Sequence, residues 1–412
     1  MGVEGLMAAQ GADAVEGAAA YPGWRVVGAC FLMAVFSWAV GFYGQGVFLA
    51  RLREAHGWPI SQVSAATTFY YLLSAALGAF LGDAIARFGS RAVLAGGMLV
   101  LGLATVLLGR VDTVPALYAT YAVMAAGWAA TNVVAVTATV GRWFDRKRGL
   151  AISLALNGAS VGGIVGAPAL AAAIGRYGFA DALLYAGLVM AFGLAPLLAL
   201  LIRERPPAKR DASAPPGAAA AVIPRGRALR SVRFWAVTGP FAAAFFVQVG
   251  FIVHQFALIE GASDARTAGF AVGLTAAMAV LGRVSLGLVI DRIDQRRATA
   301  ASLGSQALAL AAMAGMSGGA PLVLASALFG LSVGNVITLP ALIIHREFEA
   351  ASFARVVALS TAMGQLIYAF GPGAVGWLRD AFGGYGAPLL LCAAIDAAAA
   401  VAILSGRKRG EA

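Results

Sequence analysis

Charge is scarce in this sequence: 12% of its residues are Asp, Glu, Lys or Arg, and only 19 are acidic. A soluble domain normally carries about twice that share, so a water-exposed globular fold is excluded. Chemistry-bearing side chains are scarce as well. The two cysteines, Cys30 and Cys392, both fall inside apolar runs, where packing is their expected role and a disulfide or metal pair is not. Three histidines, His56, His254 and His345, stand on separate stretches and make no zinc-ligand cluster. No nucleophile elbow with a matching histidine and acid occurs, and buried carboxylates are too few for acid–base work. Neither an enzyme nor a metal or cofactor is therefore expected. The glycine-rich runs "GASVGGIVGAP" and "GPGAVG" lie in apolar surroundings, where such spacing lets helix backbones approach one another. No nucleotide site is read into them.

What the chain has in quantity is apolar length. It is 60% hydrophobic, with a mean hydropathy of +0.83. A helix of about 20 apolar residues crosses the hydrocarbon of a bilayer. Twelve such runs can be read, over 24–50, 61–86, 91–109, 114–140, 149–175, 179–202, 233–259, 266–290, 298–317, 320–344, 354–378 and 385–405. The expected fold is all-α and integral to the lipid bilayer, with twelve transmembrane helices.

The formal charge of +11 invites a nucleic-acid partner, but the placement of the cations decides otherwise. With a cytoplasmic amino terminus, about 23 of the 30 Lys and Arg residues fall in the tails and even-numbered connections, 6 on the opposite face, and Arg283 between. That is the positive-inside bias of a membrane protein, so no nucleic acid is expected. The organisation implied is a cytoplasmic tail over 1–22, a six-helix bundle over 23–203, a cytoplasmic linker over 204–230, a second six-helix bundle over 231–406 and a tail over 407–412. The linker is rich in Pro, Ala and Arg and reads as flexible. The first apolar run is too long for a signal-peptide core. A multi-pass protein of the inner cell membrane with both termini in the cytoplasm, acting as a monomer, is expected.

The two halves repeat each other. "GDAIARFGSR" from Gly82 matches "GLVIDRIDQRR" from Gly287, Phe144 answers Phe348, Gly158 answers Gly364, and Gly166-Ala-Pro168 answers Gly371-Pro372, all offset by about 204 to 206 positions. A constant offset is the mark of an internal duplication. Two six-helix halves joined by a long inner loop, with short basic turns after the second and eighth spans, resemble the major facilitator superfamily. The resemblance implies a substrate site near the membrane midplane between halves that alternate access. It also implies that the basic turns latch neighbouring helices on the cytoplasmic face. Asp291 and Arg292 stand at the latch positions of the second copy, and Arg87 and Arg91 at those of the first. The first copy departs in having Ala86 at the acidic position, with Asp83 three residues earlier, so a weaker or rearranged latch is expected there.

Within that superfamily, "GWRVVGACF", "VGFIVHQFALIE", "LGRVSLGLVIDR" and "ALSTAMGQLIYAFGPGAVGWLRDAFGGY" together resemble the bacterial monocarboxylate and oxalate/formate transporter branch. That branch binds small carboxylates, and its eighth-span Arg, here Arg283, is the partner of the anion. The residue itself argues the same way. Arg283 is the one basic residue inside an apolar span, where a lone cation costs a few kcal/mol. Its guanidinium stays charged and offers a planar fork that fits a carboxylate with two parallel hydrogen bonds. Ala279, Val280, Leu286 and Gly287, at helical spacing from it, are all apolar.

Two departures from relatives narrow the cargo. In animal monocarboxylate transporters an Asp one turn before this Arg and a first-span Lys are implicated in proton coupling; here Ala279 and Tyr43 occupy those places. The eleventh-span Lys that serves the oxalate dianion in the exchanger is replaced by Met363. One buried cation suits one carboxylate, so lactate- or pyruvate-like monoanions are favoured. Further pocket candidates are Tyr121, Asn335, Asn157, Tyr368 and Gln365, although buried Tyr and Asn also serve as interhelical hydrogen-bonding groups. His254 is the histidine well inside an apolar span and a candidate for H+ coupling, as in a proton symport. Asp396 on the twelfth span has no assigned role. The competing readings are a carrier of another organic or inorganic anion, by oxalate/formate-type exchange or for an aromatic acid, a drug exporter, and, outside transport, a transport-like sensor signalling through the 204–230 loop.

Overall fold

The structure is a computed structural model that describes residues 21–204 and 223–406, with the side chains of Asp291, Ala350, Ala351 and Ala354 also outside the description. The expected terminal tails and most of the linker thus lie outside the described residues. Within them the chain is helical: α1 Pro22–His56, α2 Ile60–Gly78, α3 Leu81–Leu108, α4 Val114–Val140, α5 Arg148–Tyr177, α6 Phe179–Leu201, α7 Arg225–Leu229, α8 Val232–Ala262, α9 Ala265–Val289, α10 Gln295–Ala314, α11 Gly319–Glu347, α12 Ala350–Tyr368, α13 Gly371–Phe382 and α14 Gly386–Ser405. Among the described residues nine of these, α1, α3 to α6, α8, α9, α11 and α14, are long and apolar enough to cross a membrane. The other three expected runs are helical too. They miss that measure because α2 carries several Ser and Thr residues with a Gln and two Tyr, because α10 opens on Gln-Arg-Arg and carries further Ser, Thr and Gln, and because the eleventh run is divided into α12 and α13 by a turn at 369–370.

Local chemistry sets the ends and breaks. Gly57, at φ 69°, donates to Arg53 O at 2.8 Å and closes α1, and Pro59 then opens α2, the usual Gly-then-Pro stop. Asp264 caps α9, accepting from Thr267 N at 2.9 Å and Thr267 Oγ1 at 2.8 Å, and those bonds hold its carboxyl below the ordinary carboxylate value. Three π-helical turns, at Ala39–Tyr43, Gly162–Gly166 and Val189–Leu194, interrupt α1, α5 and α6. The last two stand just ahead of Pro168 and Pro196, whose missing N–H frees a carbonyl one turn back and lets the ladder slip.

The helices gather into two compact units. The first holds residues up to Gln45 and Phe69–Pro207, with Tyr70, Tyr71 and Tyr121 wholly buried in its core. The second holds Gly46–Thr68 together with Ala208–Ala412. Phe234, Phe241, Leu303, Ile343 and Ile403 lie at its centre. Packing therefore assigns the carboxyl-terminal end of α1 and the first half of α2 to the unit formed by the carboxyl-terminal helices. The described end of the linker is ordered: α7 follows Ile223, whose N–H donates to Ser352 Oγ at 3.1 Å and whose carbonyl accepts from Arg355 at 3.1 Å.

Candidate functional site

Arg283 stands six residues before the end of α9, where α9 and α11 cross closely. A Cβ added at Gly334 of α11 would collide with Ala279 O and stand 3.1 Å from Arg283 Cβ. One added at Gly282 of α9 would collide with Leu331 O. Small residues at such a crossing let two backbones meet, and here they fix the root of the arginine. The side chain itself is partly exposed.

A polar seam ties α8 to the same face of α9 two turns earlier in the helix. Gln255 of α8 donates to Thr275 Oγ1 of α9 at 2.7 Å, and Thr275 Oγ1 in turn reaches Ser326 O of α11 at 3.3 Å. Sequence reasoning passed over Gln255 and Thr275; the signal available was an amide and a hydroxyl inside otherwise apolar runs, each of which needs a buried partner.

Six of the nine predicted substrate residues belong to the second unit: Arg283, Asn335, His254, Tyr368, Gln365 and Met363. Asn335, next to Gly334, is buried and its amide donates to Ser302 Oγ of α10 at 3.3 Å. Tyr368, Gln365 and Met363 are partly exposed on α12, with Met363 resting against the unit's apolar centre. His254 is buried, with Nε2 2.9 Å from Pro372 O and Nδ1 3.2 Å from Tyr385 Oη.

Three predicted residues belong to the first unit. Tyr121 is wholly buried, its ring 5.6 Å from that of Tyr70, and Tyr70 donates to Gly41 O at 2.9 Å. Tyr43 is partly exposed, its ring 5.1 Å from Phe42, at the end of the π-turn in α1. Asn157 is exposed on α5.

The two basic turns expected to latch the helices are built differently in the two units. In the second, Arg296 is buried and grips Glu347 of α11 through Nε at 2.7 Å and Nη2 at 2.9 Å, while Nη1 donates to Ile403 O of α14 at 2.6 Å. In the first, Gly89 turns with φ 83° and the carboxylate of Glu204 accepts from Arg91 N at 2.7 Å. The acid missing from position 86 is thus supplied from beyond α6. Arg87 is exposed with its guanidinium 5.2 Å from the Phe88 ring, and Arg91 and Arg292 are exposed; the side chain of Asp291 lies outside the described residues.

On the opposite face, within the second unit, Arg51 of α1 pairs with Glu54 and with Glu260 of α8. Asp380 of α13 accepts from Ser61 N of α2 at 2.7 Å and from Arg379 at 2.9 Å, and Thr68 Oγ1 accepts from Gly373 N at 3.0 Å. Burial works against the charge on Asp380, which lies beyond the end of the eleventh span, but the bonds from Ser61 and Arg379 hold its carboxyl below the usual range.

Comparison with known proteins adds to this geometry. A family model described as the Major Facilitator Superfamily matches residues 29–372. A mouse (Mus musculus) protein named Monocarboxylate transporter 11 is 28% identical over 386 residues, covering 90% of this chain and 84% of the relative. The Oxalate:formate antiporter of Oxalobacter formigenes is 28% identical over 277 residues, covering 65% of this chain and 64% of the relative. Among solved structures, the nucleoside transporter NupG superposes with a TM-score of 0.76 at 12% identity, over 93% of this chain and 99% of that one. A bacterial homolog of the human lysosomal transporter Spinster does so with a TM-score of 0.70 at 16% identity, over 93% of this chain and 95% of that one.

Proposed function

We propose, from the premise that this chain belongs to the Major Facilitator Superfamily, that it is a secondary carrier of small monocarboxylates of the lactate or pyruvate kind, working by alternating access. The observation that supports this most is a single arginine, Arg283, inside an apolar helix, its root fixed by the Gly334 crossing and its side chain partly exposed as a whole, with Nε buried. A guanidinium so placed gives a carboxylate two parallel charge-assisted hydrogen bonds, and one fixed cation neutralises one acid group. Asn335 and Tyr368 supply hydrogen-bonding groups for a hydroxyl or keto oxygen. The carrier lies in the cell membrane with both termini in the cytoplasm, the side on which the Arg-rich turns gather.

A thermal-shift screen of small organic acids on the purified protein tests the reading. Lactate or pyruvate should raise the melting temperature of the wild type, and Arg283→Gln should remove that shift and abolish uptake into proteoliposomes while the fold persists. An unchanged shift in Arg283→Gln would end the assignment of the anchor. The similarity to a protein named as an oxalate:formate antiporter favours a second reading, dicarboxylate exchange. A larger shift with oxalate than with lactate would select it.

A further inference from the structure

Asp396 lies in the middle of α14, wholly buried, and neither carboxylate oxygen has a hydrogen-bond partner among the described residues. Gln306 of α10 is in the same condition, wholly buried with both its amide oxygen and nitrogen unpartnered. The two helices pack along each other antiparallel: Arg296 Nη1 meets Ile403 O at one end, and Gly386 faces Ala314 O at the other. Counting ten residues inward from Arg296 and from Ile403 puts Gln306 at the height of Ala393, about one helical turn along the axis from Asp396.

The chemistry of the two groups decides their state. An ionised carboxylate only accepts hydrogen bonds, whereas a carboxamide offers donors on nitrogen and acceptance on oxygen. An ionised Asp396 would leave the amide oxygen of Gln306 facing a negative charge and would strand that charge in an apolar core. A protonated Asp396 offers one O–H and one C=O, the complement of the amide; no hydrogen bond joins the two side chains in the structure, and a side-chain rotation that closed two would satisfy all four orphan atoms.

The charges on the elements packed against α14 are engaged elsewhere. On α10, Arg296 holds Glu347 and Arg297 is exposed. On α8, Arg233 lies over Phe348, His254 bonds Pro372 and Tyr385, and Glu260 pairs with Arg51. On α13, Arg379 pairs with Asp380. Along α14 itself the neighbouring titratable side chain is Cys392. Among the described residues no cation is paired with Asp396.

We propose that Asp396 holds a proton as a neutral acid against Gln306 and releases it during the transport cycle, which makes this pair a proton site of the carrier; the cargo side of the proposal rests on the function proposed above. On release the O–H bond breaks, its electron pair stays on the carboxylate and the proton passes to water. A physical link to the anion runs through α11 and α10: Asn335, beside the Gly334 that abuts Arg283, reaches Ser302, one turn before Gln306.

Infrared difference spectra of the full-length purified protein at neutral pH, wild type minus Asp396→Asn, should show the C=O band of a protonated carboxyl, and Gln306→Leu should shift that band. In proteoliposomes loaded with labelled lactate, the ratio of accumulation under an inward proton gradient to exchange at equal pH should fall about tenfold in Asp396→Asn. Absence of the infrared band, or a ratio equal to that of the wild type, overturns the proposal. A wild type that moves no monocarboxylate instead sinks the cargo reading, and the infrared arm then decides the proton site alone.

Discussion

Arg283 owes its placement to a residue with no side chain. Gly334 lets the backbone of α11 come up against Ala279 O and the root of Arg283. Gly334→Ala should force the two helices apart at a cost of about 1–3 kcal/mol, as overpacking does in well-packed interiors, and should weaken binding of the acid together with the melting temperature. A loss of stability without loss of acid binding would mean that the crossing supports the fold and not the anchor. The arginine was legible in the sequence because it breaks an apolar run; the glycine was not, since its role depends on which helix faces it.

Two turns that look alike in sequence differ in what holds them. Arg296 is buried and bridges Glu347 and the end of α14, whereas Arg91 is exposed and engages Glu204 through its backbone N–H. Removing one partner of a buried pair strands the other charge, while exposed contacts contribute about 0–1 kcal/mol. Arg296→Met should therefore destabilise by about 2–3 kcal/mol, below the figure for a fully buried pair because Glu347 keeps 23% exposure. Glu204→Gln should cost less than about 1 kcal/mol. Thermal melts of the two variants in the same lipid or detergent check the order; equal losses would contradict it. Arg296 stands in the segment "GLVIDRIDQRR", but its partner Glu347, 51 residues away, could not be read there, because only helix packing brings the two together.

The carboxyl-terminal end of α1 and the first half of α2 are bound to the carboxyl-terminal helices by Arg51 with Glu260, by Ser61 with Asp380 and by Thr68 with Gly373. Under the alternating access proposed above, these contacts are expected to open once per cycle. A short thiol cross-linker joining Arg51→Cys to Glu260→Cys should stop flux, and reductive release of the linker should restore it; Cys30 and Cys392 are buried and give little background. Continued flux in the linked protein would show that this face stays closed throughout. The Asp380 link carries a pH signature. Its carboxyl is depressed in the folded protein, so its stabilisation is complete above the ordinary carboxylate value of 3.8 and fades as pH falls through the lower folded value. Asp380→Asn should melt below the wild type at neutral pH, and the gap should close on acidification; a gap independent of pH would assign the effect to packing.

Hydropathy and charge placement, which are sums over local residue chemistry, were enough to read a helical membrane protein with one arginine set apart inside an apolar span, and motifs recurring at a constant offset were enough to read its repeated halves. They could not supply the seam from Gln255 through Thr275, the substitution of Glu204 for an acid missing at 86, or the orphan pair of Gln306 and Asp396. Nor could they assign residues 46–68 to the unit of the carboxyl-terminal helices. Each of these depends on contacts between residues far apart in the chain, and no period or motif within one helix records which neighbour it will meet.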